Sequence, residues 1–260
     1  MGPVLFFDSG VGGLSIWQAV SMRLPQLDAV YAMDDAGFPY GELANDVLVS
    51  RVLGMVQAVA ERHPLAMIVI ACNSASTLAL PALRAAFSCP VVGVVPAIKP
   101  AAQLSRSGHI GLLATPGTVA RDYTRQLHQD FAADKTLLKI GSSELVLMAE
   151  AKLRGGVVDM DKLKAILAPW QGSQQPDVVV LGCTHFPLLR EEIAQVLGPA
   201  TKLVDTGEAI ARRVDSLLAL GPDNKKGGLS HLYHTATAPQ GLACIKRWLR
   251  PDADIAQLTL

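Results

Sequence analysis

The chain has 260 residues, half of them hydrophobic, with 23 Lys and Arg balancing 23 Asp and Glu. That length and apolar content can fill one large core or two smaller ones, and the even charge offers no basic block for nucleic acid or an anionic membrane. The longest apolar runs are far too short for a bilayer span, and MGPVLFFDSG enters a strand-like run with no basic segment before it, so we expect no signal peptide and no N-terminal extension to hold an activator.

In chain order, Val4 to Phe7 reads as a buried strand, Asp8-Ser9-Gly10-Val11-Gly12-Gly13 as a Gly-rich turn, and Leu14 to Arg23 as a helix. The turn partly fits a dinucleotide fingerprint, with Asp34 and Asp35 placed for a ribose, but Ser15 stands where the third Gly belongs. Asp8 would also put a carboxylate beside a pyrophosphate, and it reads equally as a helix cap. Ala29 to Met33 is the next strand. Asp34 to Leu43 is a turn around Pro39-Tyr40-Gly41, in which Tyr40 either meets a ligand or covers the core. Asn45 to Arg62 has helical spacing. Met67 to Ala71 is a continuous apolar run suited to a parallel strand covered on both faces. It delivers Cys72, Asn73 and Ser74 to the start of a helix. After a strand at Val91 to Val95, Pro96 to Ala102 carries two prolines and marks a boundary.

The second half repeats this plan. His109 to Ala114 is a strand, Thr115 to Thr118 a polar turn, and Val119 to about Phe131 a single helix. A strand near Leu137 to Ile140 precedes a helix capped by Ser142 or Ser143, which carries Glu144, Glu150 and Lys152 and ends at Gly155-Gly156. A helix over about Met160 to Trp170 leads to Val178 to Leu181, which delivers Gly182-Cys183-Thr184-His185 ahead of a proline-opened helix. Thr201 to Val204 is a strand, and Glu208 to Leu218 a helix. Gly221 to Gly228 is a polar loop. A strand at His231 to Thr235 and a helix from about Gln240 to Leu249 close the chain. This alternation is that of an α/β fold with parallel sheets, whose ligands bind beyond the carboxyl ends of the strands. Asp8, Cys72, Thr115 and Cys183 all fall there.

Of the four cysteines, Cys89 and Cys244 read as small buried hydrophobes, and a core-rich chain of this size suits reduced cytoplasmic thiols better than a disulfide framework. Cys72 and Cys183 differ, because polar residues crowd both and a helix N-terminus behind each would favour a thiolate. Three chemistries use such equipment. Cys–His nucleophilic catalysis needs only one such thiol. A metal site would draw on Cys72, Cys183, His185 and Asp8, but Cys-x-His is not a usual zinc spacing. Two-base proton transfer needs two similar groups facing one carbon.

The motifs FDSGVGGLS, FPYGEL, ACNSAST, GLLATPGTV, SELVLMAE, VLGCTHFPLL and VDTGEAIARR resemble those of the bacterial glutamate racemases, in the aspartate/glutamate racemase family, along nearly the whole chain up to about Gly221. The resemblance implies two pseudo-symmetric α/β domains, 1–96 with 207–260 and 97–206, with the active site in the cleft between them. It implies a cofactor-independent, metal-free cytoplasmic racemase that supplies D-glutamate for peptidoglycan, with glutamate as its small-molecule partner and a homodimer as the assembly to test. Cys72 would handle the α-proton of D-glutamate and Cys183 that of L-glutamate. Asp8 would assist Cys72, while His185 and Glu150 assist Cys183. Asp8, Ser9, Tyr40, Gly41, Asn73, Ser74, Thr118, Thr184 and His185 would lie on the substrate. Two positions depart from the family: Ser74 replaces a Thr and keeps its hydroxyl, and Asp35 replaces a common Asn. The motifs around the thiols lack Lys and Arg, so we expect backbone N–H groups and hydroxyls to hold the substrate, and a thiolate to depend on helix dipoles, on the substrate's ammonium, or on Asp8, Glu150 and His185 as proton acceptors. A racemase for aspartate or another amino acid, or a non-catalytic binding protein for an amino acid or nucleotide, would share this architecture.

Overall fold

A computed structural model describes residues 2–172, 175–221, 226–237 and 242–259, without the side chains of residues 243 and 244. The chain divides into two compact units, Met1–Val94 with Gly207–Leu260, and Val95–Thr206.

The first unit is built on a six-stranded sheet. Its strands are β1 (Val4–Asp8), β2 (Asp28–Met33), β3 (Met67–Ile70), β4 (Val91–Gly93), β9 (Gly228–His234) and β10 (Leu249–Gln257). Their order is β10-β9-β2-β1-β3-β4, and all pair in parallel. Every residue of β1 and β3 is buried, as central parallel strands covered on both faces must be. Each such Val, Leu or Phe contributes about 1.5–3 kcal/mol of burial free energy. Helix α1 (Leu14–Arg23) stacks Trp17 edge-on against Phe6, with ring centroids 5.2 Å apart, and packs on α10 (Gly207–Leu218). Helices α2 (Asn45–Ala60) and α3 (Asn73–Ala86) pack on each other and send Leu48, Val52, Met55, Ala79 and Leu83 into one core with Leu5, Phe7, Ile68 and Ile70.

The second unit has a four-stranded parallel sheet, β6-β5-β7-β8, from β5 (His109–Ala114), β6 (Thr136–Gly141), β7 (Val178–Leu181) and β8 (Lys202–Val204). Its core joins Ile110, Leu112, Val178 and Val180 to Ile98 and Ala101 of α4 (Ile98–Leu104). The remaining helices are α5 (Pro116–Ala120), α6 (Asp122–Ala132), α7 (Glu144–Leu153), α8 (Met160–Leu167) and α9 (Arg190–Leu197). No helix among the described residues is long and apolar enough to cross a membrane.

Four expected elements change. The Pro-marked boundary stretch contains α4, because Pro100 sits in its first turn, where a missing N–H costs nothing. The single helix expected after Thr118 is two, since Thr115 caps an earlier start at Pro116 and extended backbone at Arg121 breaks the run. The closing helix is only α11 (Leu242–Lys246), and Gln240 lies outside the described residues. Leu249 instead opens β10, an edge strand whose register shifts between Leu249 and Asp254, where Pro251 falls. Half of the loop expected at Gly221 to Gly228, residues 222–225, lies outside those described.

Candidate active site

In the first unit, register alone gathers three functional groups. Phe7 pairs with both Ala32 and Ile70, so Asp8, Asp34 and Cys72 leave adjacent strands at the same carboxyl edge. The Asp34 N–H donates to the Asp8 carbonyl at 3.0 Å, and the Ala71 N–H to that of Phe7 at 2.7 Å. Asp8 is buried; its carboxylate accepts from the N–H groups of Ser9 at 2.7 Å and Gly13 at 2.5 Å. Asp8 thus fastens the Gly-rich turn and takes up N–H groups that would otherwise face a pyrophosphate. Gly13 has no alternative there, since a Cβ would lie 2.8 Å from the Tyr31 hydroxyl and 2.9 Å from the Asp8 Cβ.

Cys72 is the N-cap of the 14-residue α3 and is 5% exposed. The Ser9 hydroxyl lies 4.0 Å from its Sγ. Asn73 and Ser74, both 4% exposed, form the first turn of α3. The Asn73 Oδ1 is buried with no hydrogen-bond partner, an acceptor with a donor still to meet.

The FPYG loop carries a 3-10 turn, Tyr40–Glu42, that includes Gly41 and packs on α3. Tyr40 is buried, and its hydroxyl donates to Asp34 Oδ2 at 2.5 Å. Arg51 of α2 grips the same carboxylate with both ends of its fork, Nε to Oδ2 and Nη2 to Oδ1, each at 2.6 Å, and the Thr235 hydroxyl adds a fourth bond at 2.6 Å. Burial pushes the Asp34 carboxyl up, but the bonds from Arg51, Thr235 and Tyr40 outweigh it and hold it below the usual range. Burial first, then Asp34, drive the Tyr40 phenol far above its ordinary value, so it stays protonated. The ribose role weighed for Asp34 fails here. Asp34 is fully buried and saturated, and Asp35 Oδ1 accepts from the N–H groups of Thr235 and Ala236.

In the second unit, β7 ends at Leu181; the N–H of Gly182 donates to the Leu113 carbonyl at 2.7 Å, and Cys183 follows, 7% exposed. The Cys183 Sγ lies 3.9 Å from His185 Nδ1, and His185 Nε2 lies 2.8 Å from Glu150 Oε1. Arg154, one helical turn after Glu150, reaches Glu150 Oε2 at 3.6 Å. Thr184, His185 and Glu150 are all buried. Burial opposes charge on His185, but Cys183 and Glu150 overcome it and raise the imidazole well above its usual value. One expectation is corrected. The segment after Cys183 is a 3-10 turn, Phe186–Leu189, opened by Pro187, so no helix N-terminus stands behind this thiol as α3 stands behind Cys72. Thr115 and Thr118, both buried, bond to each other at 3.0 Å between hydroxyls at the end of β5.

Three charged residues escaped the sequence: Asp34 as a hub, Arg51 and Arg154. Only the Glu150–Arg154 spacing, i to i+4 on a helix, was visible. Among the described residues, Cys72, Cys89 and Cys183 form no disulfide, and no group of three or more His, Cys, Asp or Glu is placed to hold a metal ion. Apart from these groups, a cavity of about 550 Å³ in the first unit lies among Arg84, Phe87, Cys89, Gly93, Ile210 and Arg213.

Residues 15–214 match the model of the Asp/Glu/hydantoin racemase family. A glutamate racemase of Yersinia enterocolitica is 58% identical over 216 residues, 83% of this chain and 75% of that one. The crystal structure of Escherichia coli glutamate racemase, in complex with L-glutamate and the activator UDP-MurNAc-Ala, aligns with a TM-score of 0.91 at 49% identity, covering 99% of this chain and 98% of that one. A glutamate racemase isoform from Bacillus anthracis aligns with a TM-score of 0.84 at 27% identity, covering 99% and 97%. With 200 of its residues inside the family model and relatives this close, the chain belongs to the Asp/Glu/hydantoin racemase family.

Proposed function

We propose that the protein is a glutamate racemase that interconverts L- and D-glutamate without a cofactor, using Cys72 and Cys183 as the two bases. The observation that carries this reading is that each unit brings one buried cysteine to the carboxyl edge of its sheet, where polar groups surround it. Glutamate as substrate is supported by the names of the relatives and by the L-glutamate in the Escherichia coli complex.

In one direction Cys72, as thiolate, removes the α-proton of D-glutamate, and the Cys183 thiol delivers its proton to the opposite face. The product is L-glutamate, with Cys72 now protonated and Cys183 the thiolate. The reverse direction exchanges the roles. The His185 imidazolium is the counter-charge for a Cys183 thiolate, and Glu150 fixes the ring through Nε2. At Cys72 the positive end of α3 and the Ser9 hydroxyl do that work. Asp8 holds the loop that presents Ser9. The unpartnered Asn73 Oδ1 suits the substrate ammonium. Ser9, Tyr40, Gly41, Ser74, Thr118 and Thr184 complete the substrate contacts. Because an α-proton is very weakly acidic, preorganised N–H dipoles must stabilise the carbanion-like charge. The role we assign is supply of D-glutamate for peptidoglycan in the cytoplasm.

Incubation with either enantiomer in D₂O, with no added cofactor, tests this. Deuterium at the α-carbon together with loss of optical activity is expected. Absence of exchange from both enantiomers would remove the assignment, and exchange from aspartate but not glutamate would move it to a sister racemase.

A second reading concerns regulation. The cavity beside β4 offers the guanidinium groups of Arg84 and Arg213 with apolar walls from Phe87 and Ile210, which suits a diphosphate joined to a less polar body. We propose that it takes an activator like the one bound by the Escherichia coli relative. Activation by UDP-MurNAc-Ala should be seen in the wild type and lost in Arg84→Ala. Equal response of both proteins would exclude this cavity.

A further inference from the structure

The Cys183 side of the site shows how a buried carboxylate can serve a thiol indirectly: Glu150 holds His185, and Arg154 stands behind Glu150. The Cys72 side has a chain of the same kind that neither the sequence nor the family motifs identify. Tyr40 and Cys72 lie in one buried cluster, and the 3-10 turn that carries Tyr40 packs on α3, whose N-cap is Cys72. Behind Tyr40 stands Asp34, and behind Asp34 the two-pronged guanidinium of Arg51.

We propose that Asp34 and Arg51 are positioning residues for proton transfer at Cys72, holding the Tyr40 phenol as a fixed donor to Asp34 so that its oxygen meets Cys72 and the substrate only as an acceptor. A phenol has one proton, and here Asp34 takes it at 2.5 Å. The oxygen's lone pairs can then receive a thiol S–H or a substrate ammonium, and cannot stabilise a thiolate or a carboxylate. Arg51 makes this arrangement durable. Its paired bonds orient both Asp34 oxygens, and they balance a carboxylate that is otherwise fully buried. Thr235 closes the remaining side. The device differs from its counterpart in one respect: an imidazolium can offer a proton to Cys183, whereas Tyr40 withholds its own from Cys72.

This inference rests on the two-base reading, in which Cys72 faces the α-proton of D-glutamate. The test uses Asp34→Asn, Arg51→Met, Arg51→Lys and Tyr40→Phe with α-deuterated D- and L-glutamate in H₂O. The equilibrium constant between enantiomers is one, so kcat/KM must fall equally in both directions; we expect roughly tenfold to a hundredfold. Isotope effects are free of that constraint. Deuterated D-glutamate reports removal by Cys72, and its isotope effect should rise in Asp34→Asn, Arg51→Met and Tyr40→Phe. That from deuterated L-glutamate should fall towards one. Arg51→Lys keeps the charge but not the fork, and should lie between Arg51→Met and the wild type. A fall in rate with the wild-type balance of isotope effects would mean a merely structural role and overturn the proposal, as would no fall at all. Should Asp34→Asn or Arg51→Met fail to fold, Arg51→Lys decides the matter, because it keeps the charge that balances Asp34 and the Arg51 side chain is 28% exposed. A wild type that fails to racemise would sink the parent reading, whereas normal racemisation with an unmoved isotope balance sinks this one alone.

Discussion

The two cysteines stand at equivalent places in their sheets and are served by different chemistry. Behind Cys72 is a 14-residue helix, beside it a serine hydroxyl and a neutral phenol. Behind Cys183 is a four-residue 3-10 turn, beside it a buried imidazole whose proton affinity, opposed by burial, is raised by Cys183 and Glu150. A helix dipole acts on a thiolate with about half a unit charge spread over a turn, while an imidazolium brings a full charge at hydrogen-bonding range. On the two-base reading we propose, the two surroundings favour a thiolate by different means, and the one without a helix N-terminus is the one with the imidazole of raised proton affinity, as electrostatic equivalence of the two bases would require.

The largest test of that equivalence is removal of each sulfur. Cys72→Ser and Cys183→Ser should each lower racemisation by roughly 10²–10⁴-fold, and full activity in either would end the two-base reading. One-way abstraction should survive at the remaining thiol, read as enantiomer-specific elimination of a β-leaving group from a glutamate analogue. Next comes His185→Gln, for which we expect a loss of about a hundredfold, with trapping of Cys183 by iodoacetamide slowed and that of Cys72 unchanged. Equal slowing at both thiols would show that His185 acts on the fold and not on one base.

The same histidine gives a pH signature that the Cys72 side lacks. Its folded proton affinity is raised, so its contribution to stability is complete below the unfolded value of about 6.5 and is lost as pH rises through the higher folded value. In urea melts the stability gap between wild type and His185→Gln should be widest below about pH 6.5 and narrow as pH rises above that value. A gap that widens with pH would mean a neutral imidazole. The smallest effect belongs to Arg154→Ala. Arg154 is 38% exposed and its contact with Glu150 is long at 3.6 Å, so we expect a loss of no more than about fivefold. Against this, Arg51 makes two 2.6 Å bonds to a fully buried partner, and its replacement should cost more than that of Arg154. The reverse ranking would undo the parallel drawn between the two arginines.

Much of this was legible in the chain. Apolar runs such as Met67 to Ala71 and Val178 to Leu181 announce buried parallel strands, because only strands covered on both faces dispense with alternation. Polar residues massed directly after them then locate the functional edge. What escaped has physical causes as well. Helix α4 hid behind Pro100, which is harmless in a first turn, and β10 behind the charges and proline that a peripheral strand tolerates. The turn after Cys183 resembled a helix start because Pro187 opens 3-10 and α-helices alike.

Sequence by itself determined the α/β class, most of the elements, the two cysteines and the motifs of the family, since these rest on local periodicity and on residue types adjacent along the chain. Tertiary structure alone decided which charges serve the thiols. Asp34 and Arg51 are 17 residues apart, Asp34 and Thr235 are 201 apart, and Glu150 and His185 are 35 apart. No local pattern specifies such pairings. They exist because parallel strands bring their carboxyl ends to one edge, and because a carboxylate buried there is stable only when fixed donors surround it.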